Sequence, residues 1–525
     1  MLNLSARHAI SWSNQAIERR MFFIFCVLSA SPLLFSHYPP MVDIPQHVAQ
    51  VSTLNRLFSP DFHYAGLYSI NWETPYLAGY LLLGALSKCM PILVALKLLL
   101  AIVVISIPLA ISRLRVYFQG DPAWDWLSLS IGYGFAFQWG FLNFLIGVPI
   151  VLMFLLSAFR YADDPNWKAG CKLSLYSILL VPVHILITAF GCGLACLYIA
   201  ARNTPAWRKK FLTMLPFFSP LILAVPWLIA WLVSSGVGYP VSWDLDIDRP
   251  MEFLSSSIGM PSNFYFTPYF IIVGAIMFAL PFVSGARFTR HTPRLVMFGA
   301  FLVWMMFGPG YLLGNAYTYN RFAIFGLPLF IITLVPSGHS LPGWNRASRI
   351  AFYLLPAALI LMTCLRFAAF DRESEKFGNI LQAMRPDKRV MSLVFDKDDN
   401  LFFAPVYLHF PSWYQVESTG IVDFSFSQFK VVLLRYRHGE DIPVQPGFEW
   451  RPESFNWKRN QAWLYDYFVV SNHQDIGSRL FAESDCKVTL VANSGQWWLY
   501  ERELGNPDDK HSCFALHKGA FRNAY

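Results

Sequence analysis

Apolar blocks of about 15–25 residues recur from Met21 to Arg366, and each is long enough to carry one helix across a bilayer core. A soluble domain could not hide that much apolar surface, because 55% of the residues are hydrophobic, only 14% are charged and mean hydropathy is +0.40. The chain reads as a polytopic α-helical membrane protein. Candidate spans are 21–36, 75–90, 92–112, 124–138, 139–159, 173–200, 211–234, 267–286, 295–313, 322–335 and 347–366, about eleven in all. Glu18, Arg19 and Arg20 precede the first block, so the positive-inside rule puts the N-terminus in the cytoplasm. No small-residue cleavage pattern follows that block, which predicts an uncleaved first helix.

An odd number of crossings places everything after Arg366 outside. Arg202, Arg208, Lys209 and Lys210, then Arg287, Arg290 and Arg294, then Arg346 and Arg349 fall on the cytoplasmic side as the rule requires. Arg113, Arg115, Arg160, Lys168 and Lys172 fall outside, which points to a misread span, 124–138 first, or to a role for those cations. The net charge of +8 needs no nucleic-acid partner, because Lys and Arg gather in short tracts at helix ends and no basic patch with interleaved aromatics occurs.

Residues 367–525 are of mixed composition and long enough for one domain. Short β-branched or aromatic runs at 389–395, 429–434, 467–470 and 497–500 predict strands, and Asp371 to Met384 predicts a helix. The expectation is a transmembrane domain over 1–366, whose first outside loop is 37–74, and after it an extracytoplasmic α/β domain. Cys486 and Cys513 both fall in this polar part and form a candidate disulfide.

The segment His37-Tyr38-Pro39-Pro40-Met41-Val42-Asp43-Ile44-Pro45-Gln46-His47 sets an acid and an imidazole four residues apart, just beyond the outer end of the first span. From Ile44 to Phe58 the apolar residues keep helical spacing, with Gln46, Gln50, Asn55 and Arg56 between them, which predicts an amphipathic helix lying in the interface. Asp43 stands at its N-cap, where an Asp is common without any catalytic role. His47, one turn on and on the same face, reads by itself as a polar interfacial residue rather than a ligand. His184, inside a span, is a lone intramembrane imidazole and weak support for a proton relay. No GxSxG, P-loop, HExxH or CxxC pattern occurs in a suitable context.

A first span, an outside loop opening on an Asp motif and an interfacial helix, many further spans and an outside C-terminal domain together resemble the GT-C membrane glycosyltransferases, such as bacterial aminoarabinose and mannose transferases, which use polyprenyl-phosphate-linked sugars. The resemblance covers roughly residues 20–366. It implies that Asp43 is the catalytic acid and that Glu73, in Asn71-Trp72-Glu73-Thr74-Pro75, is a second acidic position. A helix N-terminal acid explains Glu73 as well. Many relatives carry paired acids where Asp43 stands alone beside His47, so dependence on a divalent cation is left open. In Tyr319-Asn320-Arg321 an Arg stands at the outer end of a span, where phosphate recognition or snorkelling to headgroups accounts for it. Trp139-Gly140-Phe141-Leu142-Asn143-Phe144-Leu145-Ile146-Gly147 resembles a segment of related membrane proteins and suggests helix packing through small residues.

The resemblance implies a glycosyltransferase, and attack opposite a phosphate leaving group would make it an inverting one. Asp43 would take the proton of a lipid, glycan or protein acceptor; Arg321, Arg113 or Arg115 would meet the charge forming on the polyprenyl phosphate; His47, Trp72, Tyr319 and Asn320 would line the substrate. The expected setting is the bacterial inner membrane, with membrane lipid around the spans. The rivals are a transporter or flippase-like protein for an amphipathic lipid, which calls for charged groups at mid-membrane depth and repeated spans, and a non-catalytic glycan-assembly subunit on the same scaffold.

Overall fold

The computed structural model describes residues 17–203, 206–235, 241–243, 245–260, 267–312, 314–337, 345–437 and 446–503. The chain divides into two compact units, one of Met1–Phe35, Lys97–Phe137 and Asn143–Phe367, the other of Ser36–Leu96, Gln138–Leu142 and Ala368–Tyr525. The division differs from a cut at Arg366. The segment between the first two apolar blocks belongs with the C-terminal residues, because the side chains of Asn71 and Thr74 bond the carbonyls of Lys430, Val432 and Val431.

The first unit is helical. Among the described residues, Ile92–Tyr117, Leu142–Asp163 and Ala347–Ala383 are long and apolar enough to cross a membrane, and Trp207–Phe218 with Leu221–Ile229 makes a fourth candidate bent by 57°. Pro216 and Pro220 flank that bend, and each removes a helix donor. Other expected spans take different forms. The 75–90 block holds only the helix Leu77–Leu86, which ends ahead of Lys88 and Pro91. The 124–138 block is not one helix but the short turns Pro122–Ser128, Ile131–Tyr133 and Phe135–Gln138, buried from Trp124 onward. Irregular backbone is stable at membrane depth only where protein covers it.

The 173–200 block is two helices, Trp167–Leu180 and Ile185–Ala200, broken at Pro182. His184 caps the second by accepting from the Leu186 amide at 3.2 Å, which gives the lone imidazole a structural task. The two helices run in opposite directions along Leu142–Asp163: Gly170 packs on Tyr161 while Tyr176 donates to the Ile150 carbonyl, and Gly147 packs on Ile187 while Phe159 meets Tyr198. The 322–335 block is the turn Asn320–Phe325, the short helix Gly326–Ile331 and the strand Leu334–Pro336, paired with Ala286–Phe288.

Contacts within this unit sort its chain into two ends. At one end Glu18, Asp121 and Arg349 line a common cavity, Asp163 meets both Tyr117 and Arg202, the Arg294 guanidinium lies over Phe118 and Tyr198 packs on His291. At the other end Tyr133 donates to the Ser29 carbonyl, Ser31 lies 3.4 Å from Cys364, Ser130 donates to Ile258 and Phe144 packs on both His184 and Phe322. Arg115, which the expected spans put opposite Arg202, therefore shares an end with it through Tyr117 and Asp163.

The second unit is built on a mixed five-stranded sheet in the order Val488–Ser494, Trp497–Arg502, Tyr467–Ser471, Arg389–Val394, Ile421–Val422. The first three strands are antiparallel, and Arg389–Val394 runs parallel to both of its neighbours. Met391, Leu393, Phe468 and Val470 alternate inward from the central strands onto Trp457 and Tyr500. The helix expected over 371–384 is the end of a continuous one, Asn345–Ala383. Of the strand expected over 429–434 only Leu434–Tyr436 forms, paired with Tyr68–Ile70. Cys513 lies outside the described residues.

Candidate active site

Asp43 begins the helix Ile44–Arg56 through its main chain, since its carbonyl accepts from the His47 amide at 3.0 Å. Its side chain makes no capping bond. A capping Asp normally holds an extended backbone that turns its oxygens toward the first free amides. Asp43 sits instead at φ −89°, ψ −9°, and that rotation takes the carboxylate off the helix axis. Two bonds fix its backbone there: Asp43 N–H to the Trp139 carbonyl and Val42 N–H to the Gln138 carbonyl, each 3.0 Å. Gly140 makes this approach feasible. Its φ is +81°, and a Cβ on it would stand 2.9 Å from the amide nitrogens of both Asp43 and Ile44.

The carboxylate turns toward His409. Asp43 Oδ1 lies 3.5 Å from His409 Nε2, with side-chain exposures of 16% and 6%. The His409 ring stacks on Phe424 at 5.2 Å and meets the edge of Phe426, which also packs on His47. His47 Nδ1 bonds the Tyr80 hydroxyl at 2.8 Å. Burial pushes His47 down to about 4, and burial with His47 alongside pushes His409 down to about 3, so both rings are neutral at neutral pH. The site thus pairs one carboxylate with uncharged imidazoles and aromatic faces.

The helix Ile44–Arg56 is not an interfacial helix with a wet polar face. Gln46 and Gln50 are buried, and they stitch it to the C-terminal residues. Gln46 donates to Ser412 Oγ and the Phe424 carbonyl and accepts from the Phe426 amide; Gln50 donates to Ser427 Oγ and accepts from the Leu434 amide, all within 2.8–3.0 Å. These bonds place His409 beside Asp43. Trp72 and Glu73 are exposed, and no hydrogen bond or ion pair joins Glu73 to Asp43 among the described residues.

Tyr319, Asn320 and Arg321 lie together in the first unit. Arg321 is buried, and its guanidinium donates to the carbonyls of Ala316 and Tyr317. Tyr319 and Asn320 both donate to Glu252, at 3.0 and 3.2 Å, and burial raises the Glu252 carboxyl above its ordinary range. Arg249, almost wholly buried, stacks on Tyr319 at 3.9 Å and donates to the carbonyls of Met306 and Gly308. Arg113 is exposed. Arg115 is held in a fork by Asp125, at 3.0 and 2.5 Å, and this engagement competes with any phosphate. Among the described residues no group of three or more His, Cys, Asp or Glu side chains is placed to hold a metal ion.

Sequence reasoning missed His409, Arg249 and Glu252. A carboxylate and a guanidinium three residues apart in Arg249-Pro250-Met251-Glu252 were a local signal; His409 offered none. No protein-family model and no curated protein matches the sequence. Among solved structures the chain is similar to ArnT from Cupriavidus metallidurans bound to undecaprenyl phosphate, at 10% identity and a TM-score of 0.48, over 94% of this chain and 98% of that one. It is also similar to the arabinofuranosyltransferase AftD from Mycobacteria, at 12% identity and a TM-score of 0.47, over 92% of this chain but 41% of AftD.

Proposed function

We propose that the chain is an inverting membrane glycosyltransferase that moves a sugar from a polyprenyl-phosphate donor to a lipid, glycan or protein acceptor on the non-cytoplasmic face of the bacterial inner membrane, with Asp43 as general base. The observation that carries this reading is the Asp43 carboxylate itself. It stands at a helix start yet is not spent on the cap, and it is turned to a largely buried face that carries the His409 ring. A base there meets an incoming hydroxyl or amine with little competing water, and it takes the proton as the acceptor attacks the anomeric carbon. Arg321 is assigned the donor phosphate. Its guanidinium is fixed by two carbonyls, and a cation held in this way stabilises an anion formed against it with little reorganisation.

The side of the membrane is read from the two ends of the helical unit. Arg115, Arg202, Arg294 and Arg349 lie at one end, which the positive-inside rule makes cytoplasmic. Ser31 and Cys364 lie at the other, so the chain beyond Phe35 and beyond Phe367 emerges outside.

Asp43→Asn tests the base. Asn matches Asp in size and the helix start does not use this side chain, so the protein folds, while transfer in membranes loaded with donor and acceptor falls ~10²–10⁴-fold. Binding of undecaprenyl phosphate, the lipid held by ArnT, persists because the phosphate does not need the lost negative charge. Wild-type turnover by folded Asp43→Asn protein overturns the mechanism.

A further inference from the structure

Two partners of the Asp43 carboxylate can be compared. The free amides at the start of Ile44–Arg56 are the ordinary partners of an Asp at this position, and a carboxylate bonded there is a helix cap and a poor base. The second is the His409 ring, 3.5 Å away and contributed from 366 residues further along the chain. The side chain takes the second. His409 cannot easily retreat, because Phe424 lies flat against one face and Phe426 against its edge. Gln46 holds both of these residues by their main chain, so the helix that Asp43 begins also fixes the imidazole that Asp43 faces.

We propose that His409 is a positioning residue for Asp43: with its proton on Nε2 it draws the carboxylate off the helix start and holds it there as an anion ready to accept a proton. This deepens the glycosyltransferase reading and rests on it. A neutral ring is better suited to this role than a cation. An imidazolium would form an ion pair and make the carboxylate a weaker base, whereas a neutral N–H orients it and leaves its charge available. Titratable groups near the carboxylate include His47, against His409, and Tyr80, which bonds His47 and feels the charge of Asp43. The Gln138–Leu142 segment brings main-chain groups, the carbonyls of Gln138 and Trp139, to this part of the chain.

The readout is the proton affinity of Asp43, measured without any donor sugar. Full-length protein in detergent is treated with dicyclohexylcarbodiimide, which reacts with protonated carboxyls at apolar sites, and labelling of Asp43 is tracked by peptide mass spectrometry across pH. Loss of one donor to the anion raises the labelling midpoint, so His409→Phe, which keeps the aromatic stack, shifts it upward by about one pH unit. His409→Gln, whose amide reaches the same place, stays near the wild type. A residue that only filled space would leave the midpoint of the Phe variant unmoved, and that result, in protein with the wild-type melting temperature, overturns the proposal. Should His409→Phe not fold, His409→Asn, whose amide stops short of Oδ1, carries the same expectation. The wild type alone also decides: half-labelling above pH 7 would mean that Asp43 is not held as an anion, and the role fails. None of these outcomes touches the transfer test on Asp43→Asn, so the two claims fall separately.

Discussion

At the scale of single residues, the site depends on one close approach between main chains. Gly140 holds a left-handed backbone with no room for a side chain against Asp43, whereas Gly147 is helical and its missing Cβ would crowd the end of the Ile187 side chain and touch Val183 at ordinary contact distance. Gly140→Ala is therefore expected to cost ~1–2 kcal/mol in backbone strain and more in displaced main chain. It lowers the melting temperature and moves Asp43. Gly147→Ala, whose neighbour can rotate away, stays within ~1 kcal/mol of the wild type. Equal melting temperatures for the two variants would mean that the Asp43 backbone is not clamped. If Arg321 holds the donor phosphate as proposed, Arg321→Lys keeps the charge but loses the fork, and binding of undecaprenyl phosphate is expected to weaken about ten- to a hundredfold, or ~1.5–3 kcal/mol. Unchanged binding, read by thermal shift against lipid concentration, would leave Arg321 as a brace for the Ala316–Tyr317 backbone only.

At the scale of elements, the part legible in the sequence was the local part. Asp43 comes after an apolar block and precedes helical spacing, so both its position and the helix after it could be read. The bonds of Gln46 and Gln50 could not, because their partners lie more than 360 residues away. For the same reason the polar face of that helix reads as wet when it is buried. Trp139-Gly140 shows the mixed case: small-residue packing holds for Gly147 against Ile187, while Gly140 meets the Asp43 main chain. The sheet of the second unit carries its own test. Asp423, just after Ile421–Val422, is wholly buried and accepts from the Ser392 amide and hydroxyl at 3.1 and 2.6 Å, and burial raises its carboxyl from 3.8 to about 7. The folded protein thus holds a proton that the unfolded chain releases above about pH 4. Stability from this group is complete below that pH and declines as pH rises toward 7, with a ceiling of ~4 kcal/mol for about three units. Asp423→Asn removes that cost, so its melting temperature should gain on the wild type at pH 8 and not at pH 4. An equal difference at both would show that Asp423 is ionised in the fold.

At the scale of the whole molecule, hydropathy found most apolar blocks but not what each one is. The 173–200 block has the composition of one long span and the structure of two opposed helices, because Pro182 interrupts the ladder and His184 supplies a new cap. The 75–90 block is apolar but too short, and 124–138 is irregular yet buried. With no crossing at 75–90 the side assigned to everything after it reverses, which moves Arg113, Arg115, Arg160, Lys168 and Lys172 to the end that Arg202 shares; 124–138 still runs from one end to the other, and two crossings in place of one over 173–200 leave Arg202 where it was expected. Contacts inside the helical unit restore one rule: Tyr117, Asp163 and Arg202 meet, and the basic tracts share their end. Single cysteines placed at Gln119 and Asn166 in a background without native cysteines should then react with a membrane-impermeant thiol reagent from the cytoplasmic side only, as should one at Asn203. Cysteines at Asp61 and Glu453 should react from outside. The eleven blocks taken as eleven simple helices predict the opposite for Gln119 and Asn166 and the same for the other three positions, so these two residues decide between the topologies. Labelling of both from outside would detach the basic end from the cytoplasm, and with it the claim that Asp43 works on the outer face.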